Sequence, residues 1–159
     1  MNIRMANLND VEKLIKVRFD YFATENLDVT NEMRETFYSK LQLYYSKHIN
    51  DDFFAVFVED EIGNVVSTAF LVIAEKPANL SWPTGKTGTI LNVLTYSENR
   101  NKGYATKALN LLIEVAKKHD ASFLDLSASE LGRPLYEKLG FQEKGTSHFT
   151  EMRKYLLSD

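Results

Sequence analysis

The stretch from Thr89 to Ala128 limits the fold more than any other part of this chain. "TILNVLTY" is an apolar, β-branched run of strand length. After a polar turn, Ala105, Leu109, Leu112, Ile113 and Ala116 recur at the spacing of one helical face, and "SFLDLSA" follows as a further strand. A strand, helix and strand of one sheet close as a right-handed crossover with the two strands parallel. Open sheets of this kind bind ligands beyond the carboxyl ends of parallel strands, so the turn "SENRNKG" is where a site is expected.

The other elements alternate around this unit. "NIRMA" predicts a short strand, and Val11, Leu14, Ile15, Phe19 and Phe22 predict a helix behind capping Asn and Asp residues. A second helix is expected from Asn31 to His48. "FFAVFVED" and "NVVSTAFLVIAE", separated by Glu61-Ile62-Gly63, read as a hairpin, and "KPANLSWPTGKTG" interrupts regular structure. "LGRPLYEKLG" predicts a short helix ended by Gly140, and "FQEKGTSHF" with "EMRKYLL" a closing hairpin. The expected order is β-α-α-β-β-β-α-β-α-β-β, an α+β (mixed α/β) sheet with helices on its faces. At 159 residues, without repeats or linkers, residues 1–159 are expected to form one domain.

Several function classes are disfavoured at this point. A net charge of -3 gives no overall attraction to nucleic acid or anionic membranes, so any anion site must be local. The absence of cysteine removes disulfides, thiolate metal sites and a cysteine nucleophile. His48, His119 and His148 lack metal-ligand spacing, so no metal is expected. No apolar run reaches the roughly 20 residues of a membrane span and "MNIRMANLND" has no apolar leader, which together predict a soluble, cytoplasmic protein. Gly85-Lys86-Thr87 lacks the first glycine of a phosphate-binding loop, and no Gly-x-Ser-x-Gly elbow is present.

The turn before the predicted helix carries Arg100 and Lys102 where a helix dipole disfavours cations. The charge makes sense if an anion such as a pyrophosphate lies between these side chains and the unpaired first-turn amides. Gly103 lets an oxygen approach the main chain and Ala105 keeps the next turn narrow.

In this context "LNVLTYSENRNKGYATKALNLLIEVA" resembles motif A of the GNAT N-acyltransferase superfamily, and "SASELGRPLYEKLGFQEKG" resembles its motif B, ending in Tyr-x-x-x-Gly-Phe. The resemblance implies a six- to seven-stranded sheet with about four helices and a split between the fourth and fifth strands. It also implies acetyl-CoA as co-substrate. Val93, Leu94 and Thr95 would then meet the pantetheine and thioester, and Arg100, Asn101, Lys102, Gly103, Tyr104, Ala105 and Thr106 would wrap the pyrophosphate. Lys102 or Lys107 would meet the 3'-phosphate, with Ser129 and Arg133 also on the cofactor side. Many family members have asparagine where Ser129 stands.

By the same resemblance, the Leu94 N–H is the oxyanion donor and Tyr136 the general acid toward the departing thiolate. A phenol of reference pKa about 10 protonating a thiolate of about 8.5 needs a cleft that favours the transfer. Glu75 and Asn92 are the candidates to hold a water that deprotonates the amine. Phe19, Tyr21, Phe22, Phe37, Tyr38, Tyr44 and Tyr45 lie on the two helices expected to roof the acceptor, beside Glu25, Asp28 and Glu32. These residues suit a cationic amine or, for most of them, simply a core stripe. Trp82 is expected to cap the pocket or to make a contact in a homodimer. The function expected is acetyl transfer to a primary amine of a small molecule or peptide; the alternative is a non-catalytic acyl-CoA sensor.

Overall fold

The structure, a computed structural model, describes residues 1–145 and 148–157. The chain divides into two compact units, Met1–Ser127 and Ala128–Asp159. The first holds β1 (Asn2–Met5), α1 (Val11–Thr24), α2 (Asn31–His48), β2 (Phe53–Glu59), β3 (Val65–Glu75), β4 (Lys86–Thr95), α3 (Tyr104–Lys118) and β5 (Leu124–Asp125). The second holds α4 (Arg133–Lys138) and the segment after it.

The strands form one sheet in the order β1-β2-β3-β4-β5, antiparallel except for the parallel β4–β5 pair. Every residue of β2 is buried, because helices cover both faces of the sheet. Phe53, Ala55 and Phe57 join Phe70 of β3 in a core closed by Leu14, Ile15, Val17 and Phe19 of α1 and Tyr45 of α2. The other face of β2 and β3 meets α3, whose Ala108, Leu109, Leu112 and Ala116 are buried. Burying each such Leu or Phe side chain contributes about 1.5–3 kcal/mol, so these two layers hold the sheet rigid beneath the site.

The α2 bounds are those expected from the sequence. The Thr30 hydroxyl accepts from the Met33 N–H and fixes the helix start. At the start of α1, Asn7 and Asp10 form a capping box around the preceding helical turn, and Asp10 then meets Arg4. Arg4 donates to Asp10 at 2.7 and 2.8 Å and to Glu59 at 2.8 and 3.0 Å, while Lys13 approaches Glu59 at 3.2 Å. Hydrogen bonds from Arg4 hold both buried carboxyls below the usual carboxylate range.

Three expectations are corrected. β4 begins at Lys86 rather than Thr89, because Gly88 pairs with both neighbouring strands: a Cβ there would collide with Leu124 Cδ2. β5 has only two residues, where "SFLDLSA" suggested more. The closing hairpin is absent among the described residues: 141–145 and 148–157 contain no strand, and Thr146 and Ser147, within its first expected strand, lie outside them. Among the described residues the sheet therefore has five strands rather than six or seven.

Candidate active site

β4 and β5 pair only at Gly88↔Leu124 and Thr89↔Asp125. From Ile90 to Thr95 the β4 edge facing away from β3 has no strand beside it among the described residues. This is the split expected between the fourth and fifth strands. The cause on the β4 side is local: Thr68 pairs with Leu94 and Phe70 with Leu91, so Asn92 and Val93 together oppose Ala69. Two residues against one is a β-bulge, which bends the strand and redirects its peptide groups.

Asn92 is the residue that makes the bulge. Its φ is +52°, a left-handed conformation that asparagine tolerates better than branched residues. Its side chain is buried and tied to α1, with Oδ1 accepting from Arg18 Nη1 at 3.1 Å and Nδ2 donating to the Val17 carbonyl at 3.4 Å. Asn92 is thus engaged in structure rather than free to hold a water. Leu94 is buried and its carbonyl accepts from Ser67 Oγ at 3.0 Å; Val93 and Thr95 are half-buried. Thr68, opposite Leu94, buries a hydroxyl that has no hydrogen-bond partner among the described residues.

Glu75 does not join this group. It pairs with Lys86 at the far end of the β3–β4 ladder, six strand positions from Ala69, which is about 20 Å. The placement of Glu75 beside Asn92 is therefore corrected: antiparallel pairing sets the end of β3 against the beginning of β4.

Beyond β4, Asn101 and Gly103 both have left-handed backbone, at φ +61° and +76°. Gly103 is the α3 N-cap; it is exposed, a Cβ there would touch nothing within 4 Å, and no side chain caps the helix. Tyr104, Ala105 and Thr106 are half-buried along the opening turn, and the first intrahelical bond runs from Lys107 N to the Gly103 carbonyl at 3.1 Å. The preceding amides of α3 point out of the helix end with its positive dipole.

Arg100 and Lys102 meet the loop's own carbonyls: Arg100 Nε donates to Thr95 O at 3.2 Å and Lys102 Nζ to Glu98 O at 3.0 Å. They bring positive charge to the helix entrance without a short ion pair among the described residues. Lys107 is exposed.

In the second unit, Tyr136 is half-buried and packs edge-on against Phe141 with centroids 6.1 Å apart. Ser129 Oγ accepts from the Gly132 N–H at 3.1 Å, and a Cβ on Gly132 would sit 3.1 Å from Tyr136 Cε2. The small residue thus lets the tyrosine ring lie close over the turn. Arg133 is bound at 2.6 Å to both Glu137 and Glu143.

Of the aromatic residues of α1 and α2, Phe19 and Tyr45 are buried in the core with Phe22 and Tyr44 packed against it: Tyr45 meets Phe53 with a tilted ring and Phe70 edge-on, and burial raises its phenol pKa. Tyr38 donates to Glu12 at 2.7 Å, and Glu25, Asp28 and Glu32 are exposed. Trp82 is held by its own loop, donating to Pro77 O at 2.9 Å beneath Lys76, which corrects its expected part as a pocket cap.

The sequence reading missed Arg18, Asp20 and Tyr96. Tyr96 donates to Asp20, and burial, then this bond, raises its pKa. Arg18 and Tyr96 occupy ordinary positions in a helix and at a strand end, and only the fold brings Arg18 to the bulge and Tyr96 to Asp20 of α1. No group of histidine or carboxylate side chains suited to a metal occurs among the described residues, and no described helix is long and apolar enough to cross a membrane.

The model of the acetyltransferase (GNAT) family matches residues 19–141, more than half of the chain and the whole span from the bulge through Tyr136. The chain belongs to this family. A predicted acetyltransferase of Clostridium acetobutylicum, solved with acetyl-CoA, is 27% identical with a TM-score of 0.81, over 96% of this chain and 95% of that one. A GCN5-related N-acetyltransferase of Ralstonia eutropha JMP134 shares the fold at 22% identity and a TM-score of 0.76, covering 98% and 97%. So does glucosamine-6-phosphate N-acetyltransferase of Arabidopsis thaliana, at 24% and 0.66, covering 98% and 97%. No curated protein sequence matches the chain.

Proposed function

We propose that this GNAT acetyltransferase moves the acetyl group of acetyl-CoA directly to a primary amine of a small molecule or peptide. The observation that carries the reading is the opening of β4 from β5 after Thr89, next to a bulge and followed by an uncapped helix. The family match runs across both compact units, which supports treating residues 1–159 as one catalytic domain. The residues present fit the cofactor: exposed Gly103 leaves its main chain open, and the first amides of α3, with Arg100 and Lys102, supply donors and charge for a pyrophosphate. Val93, Leu94 and Thr95 offer main-chain groups along the open edge to the pantetheine.

Acyl transfer forms a nitrogen–carbon bond and breaks the carbon–sulfur bond. The Leu94 N–H stabilises negative charge on the carbonyl oxygen, a fixed dipole that needs no reorganisation as charge develops. Tyr136, matched by motif B, supplies the proton that the sulfur takes. Asn92 sets the bulge geometry rather than acting on a proton, and Glu75 has no part.

Turnover by Tyr136→Phe, followed as thiol release from acetyl-CoA over a panel of amines, is the test. Turnover is expected to fall roughly 10²- to 10⁴-fold, the usual contribution of a positioned acid. Stabilisation by acetyl-CoA, about 2.7 kcal/mol at a hundredfold excess over Kd, is expected to persist. Unchanged turnover removes Tyr136 from the chemistry. Binding without turnover by the native chain on any amine gives the sensor reading instead. Having no cysteine, the protein adds no thiol background.

A further inference from the structure

The structure assigns the acceptor an anionic group beside its amine: we propose that a cavity between α1 and α2 selects amino acids and similar short amino-carboxylates carrying an apolar side chain. This rests on the transferase reading and narrows it. The cavity, of about 150 Å³, is lined by Arg18, Phe22, Phe37, Lys40 and Leu41. A space of this size admits a benzene ring.

Two of the five lining residues are cations, and neither has a carboxylate partner within ion-pair distance among the described residues. Arg18 is half-buried, lies 4.7 Å over the Phe22 ring and spends one N–H on Asn92 Oδ1. The remaining four donors of its guanidinium have no partner there. The nearby acids on α1 are committed elsewhere, Asp20 to Lys16 and Tyr96 and Glu12 to Tyr38. A half-buried guanidinium without a counter-ion is costly unless a ligand supplies one, and its planar fork matches a carboxylate in two places. Phe22 and Phe37, with centroids 6.4 Å apart, and Leu41 offer the apolar wall.

Position follows from the same contact. Arg18 touches Asn92, the bulge residue two before Leu94, so the guanidinium is anchored at the bulge that carries the proposed oxyanion N–H. An acceptor with its anion on this guanidinium and its amine toward Leu94 carries both groups in one small molecule. A polyamine has no anion to offer. The bonds made and broken are those above: the amine nitrogen joins the acetyl carbon, the sulfur leaves, and the amine's proton passes to solvent while the thiolate is protonated.

Two probes that cannot react test the cavity without turnover. By calorimetry, 3-phenylpropanoate is expected to bind the full chain at least roughly tenfold more tightly than 2-phenylethanol, its neutral counterpart. Arg18→Gln is expected to weaken the carboxylate roughly 10- to 100-fold, the range for hydrogen bonds to charged groups. Lys40→Ala, at an exposed position whose replacement does not threaten folding, is expected to weaken it roughly 2- to 5-fold. Equal binding of both probes, or a carboxylate affinity that neither variant changes, overturns the proposal.

Transfer is read separately by thiol release with phenylalanine and with 2-phenylethylamine. Preference for the amino acid, lost in Arg18→Gln, supports the proposal; preference for the plain amine overturns it and leaves acetyl transfer standing. Release with neither, while other amines turn over, overturns the proposal and leaves acetyl transfer standing; release with no amine at all, while the carboxylate still binds, fails the transferase reading and shows an anion cavity of another use.

Discussion

Two arginines of the first unit, Arg4 and Arg18, show what the same side chain does in different company. Arg4 makes four hydrogen bonds to two buried carboxylates and lies 5.5 Å from the Phe57 ring centroid. Arg18 also lies over aromatic rings, yet among the described residues its one polar partner is an uncharged amide. The Arg4 cluster is closed: each charge has its opposite, and the group ties β1, β2 and the start of α1 together. The Arg18 site is open, a cation held in place with most of its donors unspent. The difference teaches that a cation's use is read from its partners rather than from its burial.

The largest expected effect breaks the closed side. Arg4→Ala leaves Asp10 and Glu59 buried without their main partner and is expected to lower stability by about 3–5 kcal/mol, read as a shifted denaturant midpoint. If the loss is under about 1 kcal/mol, the cluster is ornamental and the contrast fails.

Next comes pH. Asp10 and Glu59 have folded pKa values lowered by Arg4, so their contribution is present above their unfolded values, about 3.9 and 4.3. It is lost as pH falls through the lower folded values. Melting temperature is therefore expected to drop steeply below about pH 4 in the native chain and less steeply in Arg4→Ala; parallel curves would place acid sensitivity elsewhere.

On the open side, Asn92→Ala removes the left-handed tolerance and the hydrogen bonds to α1, at about 2 kcal/mol. It should also reduce turnover by shifting the Leu94 N–H. Arg18→Ala is expected to cost only about 1 kcal/mol, the scale of its contacts with rings and one amide, measurable by the same denaturant titration. A loss as large as that of Arg4→Ala would make Arg18 a structural residue and erase the distinction.

How far these regions were legible in the sequence follows the range of the interactions. α2 was readable because Phe37, Leu41, Tyr44 and Tyr45 recur on one side of it, and α3 because its apolar face repeats over 15 residues. The charged turn before α3 was readable for the same reason: Arg100, Lys102 and Gly103 are neighbours in sequence. The bulge was not, since its extra residue is defined only against Ala69 of another strand. Glu75 was misplaced because a strand end does not announce which end of its neighbour it meets. The unpaired state of Arg18 depends on Asp20 and Glu12 being occupied by Lys16, Tyr96 and Tyr38. The final segment shows the converse: its residues suit strands, yet Tyr155, Leu156 and Leu157 are exposed and outside any sheet.

The tether at Asn92 also bears on any attempt to redesign acceptor choice. One carboxamide both holds the kinked main chain and anchors the guanidinium, so a new side chain at position 18 removes a strut from the very peptide that must aim at the carbonyl. Selectivity and turnover are thereby mechanically joined, and remodelling from the Lys40 side of the cavity is the route that leaves the strut in place.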